Sequence, residues 1–532
     1  MSKNQIASQN RDSNKSYLLN NIESREHLIK QVAKGGGFAF IGIIISKVSI
    51  LGLHILLGRV IGPGAYGLYA LGMSVMGIAL ILALFGQSEG TVRFCSIYRG
   101  EEDNARVKGT IISAMAISIV CSVIATVILF SMSDVIANRF FHKPELTWVL
   151  RIIALSLPVY VLMNITTSFT QAYRRIDYQQ GVLNIFHPWT NLTLVGVAFL
   201  LGCRLDGALY SFLIAGILSA ILGFYFMKKI LSSFHTSVKP RFEVWNLLRF
   251  TAPLSLSGFL YLMILQIDRI MLGYFQSAYD VGIYNAAAVI ALQVGTFAFH
   301  PLAAITTPIM ADLHNRDQIK ELRAIFQTVT RWMFTLALPL LIIVGFFAKE
   351  IMSWFGTDFG NGWLILIILS FSRFIFVSVG PTSELLKMSG RQYIDLINNV
   401  CLLSLIIGLN LWLIPLHGIV GAAVATAISV VIYNIVQLIE VILLLKINPY
   451  STKFLKPVII ALGLIPIGII FLYTIGRNMW VLNAALLMVS YFTVYYLFGL
   501  NTEEKLIFTS ITNKLLPFLV TRISRRGLDF FI

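Results

Sequence analysis

Four basic side chains stand where a soluble protein has little reason to put them. Lys47, His54, Arg269 and Arg373 each fall inside a long run of apolar residues. A charge at the centre of a bilayer costs about 2.5–3.5 kcal/mol on insertion scales, so such a group has to face water, a partner or a ligand. Lys47 lies about ten residues into its run, roughly 15 Å deep at 1.5 Å per helical residue, where its stem cannot carry the ammonium to an interface. Arg373 is similarly placed in a later run, reached from the other side. His54 follows Lys47 by seven residues and shares its helix face. The pattern is that of cationic and protonatable groups turned into one central cavity.

The other ionisable residues of the apolar runs read differently. Asp268 is adjacent to Arg269 near a span end, as a structural ion pair or a coupling group. Glu89 and Arg93 are four apart, in the favourable order for a pair on one helix face. Glu384 and Glu440 sit near helix ends, and His187 and His300 each precede a proline, as packed or hydrogen-bonded groups do. The chain contains no GxxxxGK[ST] phosphate loop, no HExxH and no CxxC. Its four cysteines lie in or beside apolar runs, which argues against a disulfide framework. No catalytic set, metal or cofactor is expected.

The elements that hold these residues are membrane spans. The 532 residues are 57% hydrophobic and 12% charged, against roughly a quarter charged in soluble domains. Fourteen apolar segments approach the ~20 residues a bilayer demands, from 38–58 and 67–86 through 181–201, 207–227, 394–414 and 418–445 to 457–475 and 480–500. The fold class is therefore all-α membrane protein. Prolines within or at the ends of spans, such as Pro158, Pro253 and Pro339, kink their helices. The polar tail before the first span lacks a signal-peptide core, and 22–32 reads as a surface helix leading into that span.

Three anchors recur at nearly one offset. Leu57-Gly58 followed by Gly67-Leu68-Tyr69 matches Leu272-Gly273 followed by Gly282-Ile283-Tyr284, 215 residues on. Tyr178 behind Arg174-Arg175 matches Tyr393 behind Arg391 at the same distance, and Gly207-Ala208 matches Gly421-Ala422 at 214. The copies start at the first and seventh spans, so both enter the membrane in the same direction, as two parallel six-helix lobes. This gives a tail at 1–36, an N-lobe at 37–227, a linker at 228–248, a C-lobe at 249–445, two further helices at 446–500 and a basic tail at 501–532. Under the offset His54 corresponds to Arg269, so each lobe supplies basic groups.

Most of the 41 lysines and arginines fall in alternate connections. The intervening ones carry few, such as Arg59, Arg204 and Arg477. The positive-inside bias then puts both termini in the cytoplasm of a multi-pass protein of the cell membrane. It also accounts for the net charge of +16: the charge lies beside anionic lipid rather than in a nucleic-acid groove.

The segment from Leu57 to Tyr69 (LGRVIGPGAYGLY) resembles polysaccharide-biosynthesis flippases of the multidrug/oligosaccharidyl-lipid/polysaccharide exporter superfamily. So do Asp268–Phe275 leading to Val281–Tyr284, and Asn410–Ala423. The resemblance implies alternating access between two lobes and a polyprenyl-(pyro)phosphate-linked oligosaccharide as substrate. It implies contacts with membrane lipids and polysaccharide-assembly proteins as well. Lys47, His54, Arg269 and Arg373 would then meet the pyrophosphate. Alternatives within the superfamily are a lipid II flippase and an ion-coupled drug antiporter. A multi-span glycosyltransferase or ligase would need a large outer domain with paired carboxylates, and none is visible in the sequence.

Overall fold

A computed structural model describes residues 3–232 and 239–499, and among these no strand occurs. The basic C-terminal tail and the centre of the linker lie outside the described residues. The helices are α1 (Lys3–Leu84), α2 (Gln87–Gly100), α3 (Asn104–Val135), α4 (Leu146–Ala172), α5 (Ile176–Gln180), α6 (His187–Leu200), α7 (Leu205–Leu231) and α8 (Val244–Phe275). They continue with α9 (Ala278–Asn315), α10 (Ile319–Ser353), α11 (Trp363–Ser378), α12 (Thr382–Met388), α13 (Gln392–Leu445), α14 (Leu455–Ile475) and α15 (Trp480–Val494).

Eleven helical stretches among the described residues are long and apolar enough to cross a membrane. The difference from fourteen sequence segments has a local cause. α1 carries the first two segments and breaks at Gly62 (φ 74°, ψ 171°), with Pro63 starting the second helix. α13 carries the eleventh and twelfth and breaks at Gly418 (φ 57°, ψ −135°). Only glycine takes these backbone angles without strain, and proline suits a first helical turn. The fifth segment is a π-helical stretch, Gly181–Phe186, followed by the 14 residues of α6. The chain is an all-helical membrane protein.

The chain forms two compact units. The first comprises Met1–Val289, Trp354–Phe359 and Asn399–Ala425, and the second Ile290–Ser353, Gly360–Asn398 and Thr426–Ile532. In the first, α4 lies at the centre, with 61% of its apolar window buried against 28% for the stretch that contains α3. Cys95, Val107, Ile111, Ile165, Phe169 and Leu247 close the core around it. In the second, Phe334, Phe374 and Met333 pack with Phe299 and Val377. A polar knot holds α12 to α13 there: Thr382 donates to Gln437 at 3.0 Å, Ser383 to Asp395 at 2.6 Å, and Lys387 pairs with Asp395 at 3.3 Å.

The repeated glycines do matching work inside the first unit. A Cβ on Gly67 would strike the Ala278 carbonyl, and one on Gly282 would strike the Pro63 carbonyl. The two motif glycines therefore let their helices meet backbone to backbone, as small residues do in membranes. A Cβ on Gly58 would lie 3.0 Å from Phe355, and one on Gly273 would lie 2.8 Å from Phe141. Gly207 packs on Ala198 (2.9 Å to its Cβ) and Gly421 on the Leu413 backbone. Gly207 follows Ala198 by nine residues and Gly421 follows Leu413 by eight, so the two hairpins close at matching places but one residue apart in register.

Candidate functional site

The first unit contains a cavity of about 360 Å³, toward the small end of ligand pockets, which run roughly 300–1,000 Å³. α1 supplies Ser46, His54, Tyr69 and Ser74 to its wall, α6 supplies His187 and Asn191, α7 supplies Phe212, α8 supplies Gln266 and Arg269, and α9 supplies Asn285. Among the described residues, no carboxylate lines it. Two of the four basic residues singled out by sequence, His54 and Arg269, thus share one cavity although 215 residues separate them.

Arg269 is half-buried. Its guanidinium donates to the Leu265 carbonyl at 3.1 Å and to Gln266 Oε1 at 2.5 Å, and its buried Nε has no partner. Ser74 fixes Gln266 from across the cavity, donating to Oε1 at 3.0 Å. The guanidinium is therefore oriented by amide and carbonyl oxygens, none of which cancels its charge. An acceptor arriving in the cavity would meet a fixed donor in a site with few charges to screen it.

His54 lies 2.9 Å through Nδ1 from the Tyr66 hydroxyl, which also accepts from Asn285 Nδ2 at 2.8 Å. Tyr66 is fully buried and edge-on to both His54 and Phe359. The chain Asn285–Tyr66–His54 connects the cavity wall with the Gly67–Gly282 contact next to it in sequence. Across the cavity, the Tyr160 hydroxyl lies 2.8 Å from His187 Nε2, donates to the Phe212 carbonyl at 3.1 Å, and its ring stacks on Phe212.

The remaining expected residues are placed elsewhere. Lys47 is half-buried on α1, one residue after Ser46, and does not line the cavity. Arg373 belongs to the second unit, where its Cβ lies against Gly295. Asp268 and Arg269 face different partners: the Asp268 carboxylate accepts from Tyr284 at 3.0 Å and from Asn410 at 2.9 Å. Glu89 and Arg93 are exposed, and Arg93 stacks on Phe250 at 4.3 Å from the ring centroid. Tyr66, Asn285 and Asn191 are uncharged and were not singled out by sequence. Tyr66 and Asn285 do flank the repeated Gly-x-Tyr motif, which is a usable signal.

The family model for polysaccharide biosynthesis proteins matches residues 32–314, more than half of the chain. The chain belongs to the polysaccharide biosynthesis protein family. A second family model, MatE, matches residues 253–412 of this polysaccharide biosynthesis protein. A Shigella flexneri protein named as an O-antigen transporter is 21% identical over 388 residues, covering 71% of this chain and 89% of that one. A Haloferax volcanii protein named as a low-salt glycan biosynthesis flippase is 24% identical over 417 residues, covering 76% and 79%. Among solved structures, the lipid II flippase MurJ in an inward closed conformation aligns with a TM-score of 0.67 at 17% identity, covering 86% of this chain and 98% of that one. The last likeness establishes a shared fold: two six-helix lobes with additional C-terminal helices. It carries the fold class expected from sequence.

Proposed function

We propose that this protein is a flippase. It carries a polyprenyl-(pyro)phosphate-linked oligosaccharide across the cytoplasmic membrane by alternating access, in the assembly of a cell-surface polysaccharide or glycan. The supporting observation is Arg269: an oriented guanidinium with a buried, unpartnered Nε, on a cavity wall that has no carboxylate among the described residues. Phosphate oxygens are the natural acceptors for such a group. An antiporter of cationic drugs would gain more from an acidic wall, so the same observation disfavours that reading. Both relatives named above carry transporter or flippase names, which supports the substrate class.

In this reading His54 and Arg269 contact substrate within the first unit, and Lys47 and Arg373 are further cationic contacts, one in each unit. The domain scheme of two six-span lobes, a linker and two appended helices is retained, with both termini cytoplasmic and the Gly62 turn outside. The protein then acts as a carrier without chemistry of its own, among membrane lipids and beside polysaccharide-assembly proteins.

The test is a vesicle assay with the purified protein. A fluorescent polyprenyl diphosphate bearing a short oligosaccharide is expected to cross, and a lipophilic cationic drug is not. Drug movement without lipid-linked sugar movement would sink the proposal.

A further inference from the structure

The two histidines of the first-unit cavity are wired in opposite senses. The buried Tyr66 hydroxyl already accepts from Asn285, and leaving its own proton without an acceptor would cost about 1–3 kcal/mol. It therefore donates to His54 Nδ1, and neutral His54 carries its proton on Nε2. Tyr160 has spent its proton on the Phe212 carbonyl, so at 2.8 Å it can only accept from His187 Nε2. His187 is then left with Nδ1 as a bare acceptor. Both tautomers follow from the hydrogen-bond network.

Asn191 stands one helical turn beyond His187 on α6, so the two share a face. Its side chain lines the cavity, is 4% exposed, and has an Oδ1 without a hydrogen-bond partner. A buried amide that the protein itself leaves unsatisfied is costly unless something else completes it. The cavity thus has a basic end, the Arg269 guanidinium with His54 beside it, and an α6 wall that offers an acceptor at His187 and an amide at Asn191.

We infer that the α6 wall is a sugar subsite. Arg269 and His54 hold the phosphate, while His187 and Asn191 read neighbouring hydroxyl or acetamido groups on the sugar directly attached to it. Such groups bring the donor that His187 Nδ1 lacks and can both donate to and accept from the Asn191 amide. A carboxylate facing His187 Nδ1 would set acceptor against acceptor, so the subsite favours an uncharged sugar. Its volume suits the phosphate-proximal unit alone; the rest of the oligosaccharide stays outside it. This inference rests on the lipid-linked sugar reading above.

The experiment measures binding to the full chain in nanodiscs of two probes: a polyprenyl diphosphate, and the same lipid bearing one uncharged hexose. The wild type is expected to bind the hexose-bearing lipid more tightly. Asn191→Leu and His187→Phe should each weaken the hexose-bearing lipid about tenfold, the equivalent of roughly 1.4 kcal/mol, and leave the bare diphosphate unchanged. That bare-lipid value also shows that each variant is folded. Arg269→Gln should weaken both probes together. Equal loss for both probes in the α6 variants, or no loss for either, overturns the subsite while the flippase reading stands. A wild type that binds neither probe overturns both.

Discussion

Gly67 and Gly282 occupy equivalent positions in the two repeats and lie against each other, each leaving room for a backbone carbonyl beside the other's motif. The contact is steric, and neither carbonyl belongs to a side chain that could swing away. Gly67→Ala and Gly282→Ala should each destabilise the protein by about 3 kcal/mol, the upper end for overpacking. The double variant should lose less than the sum, because both changes act on one seam. Thermal unfolding in nanodiscs checks this; additive losses would mean the seam is not shared.

Arg269 is predicted to dominate substrate contact. Arg269→Gln should slow flipping of a lipid-linked oligosaccharide by about tenfold or more, since a charge-assisted bond to phosphate is lost. Arg269→Lys should recover only part, because a point charge cannot reproduce the planar fork. Lys47→Ala and Arg373→Ala should also slow flipping. Unchanged rates in both would remove those two residues from the substrate path.

The Asp268 carboxylate is held by Tyr284 and Asn410. Tyr284→Phe removes one hydrogen bond to a buried charge and should cost about 1.5–3 kcal/mol. A midpoint of chemical unfolding that stays at the wild-type value would show the bond to be dispensable.

Glu243 precedes α8 and is held below its ordinary value of 4.5 by hydrogen bonds from the Tyr98 hydroxyl and the Asn246 amide, with Arg106 alongside. A carboxyl whose folded pKa is depressed stabilises the fold above its unfolded pKa, and that contribution fades as pH falls through the folded value. The unfolding temperature of the wild type should therefore drop more steeply than that of Glu243→Gln between roughly pH 5 and pH 3. Parallel curves would count against a role for this carboxylate.

The spans and the duplication were legible because apolar runs and glycines have few alternative uses inside a membrane. Gly207 on Ala198 and Gly421 on Leu413 mark the same hairpin in each copy to within one residue, and the sequence offset anticipates that place. The cavity was half legible. His54 and Arg269 announced themselves by charge in an apolar run, while Tyr66, Asn191 and Asn285 are ordinary polar residues whose meaning lies in where the fold puts them: Tyr66 and Asn285 meet across 219 residues, and Asn191 is buried in the cavity wall. Nor does sequence say that Asp268 turns toward Asn410 while its neighbour turns toward Gln266. Adjacent helical residues point about 100° apart, and only packing decides which neighbour each one finds.

Gly58 rests on Phe355, and its counterpart Gly273 rests on Phe141, one residue from the position the offset predicts. Such reciprocity, in which each copy presents the same patch to the other, is how the two halves of a symmetric dimer meet. The joint is of a kind that two separate six-span chains could have made before they were fused. In such an ancestor the residue now split into Gly67 and Gly282 would have faced its own image across the axis. A single substitution there would have struck the interface twice.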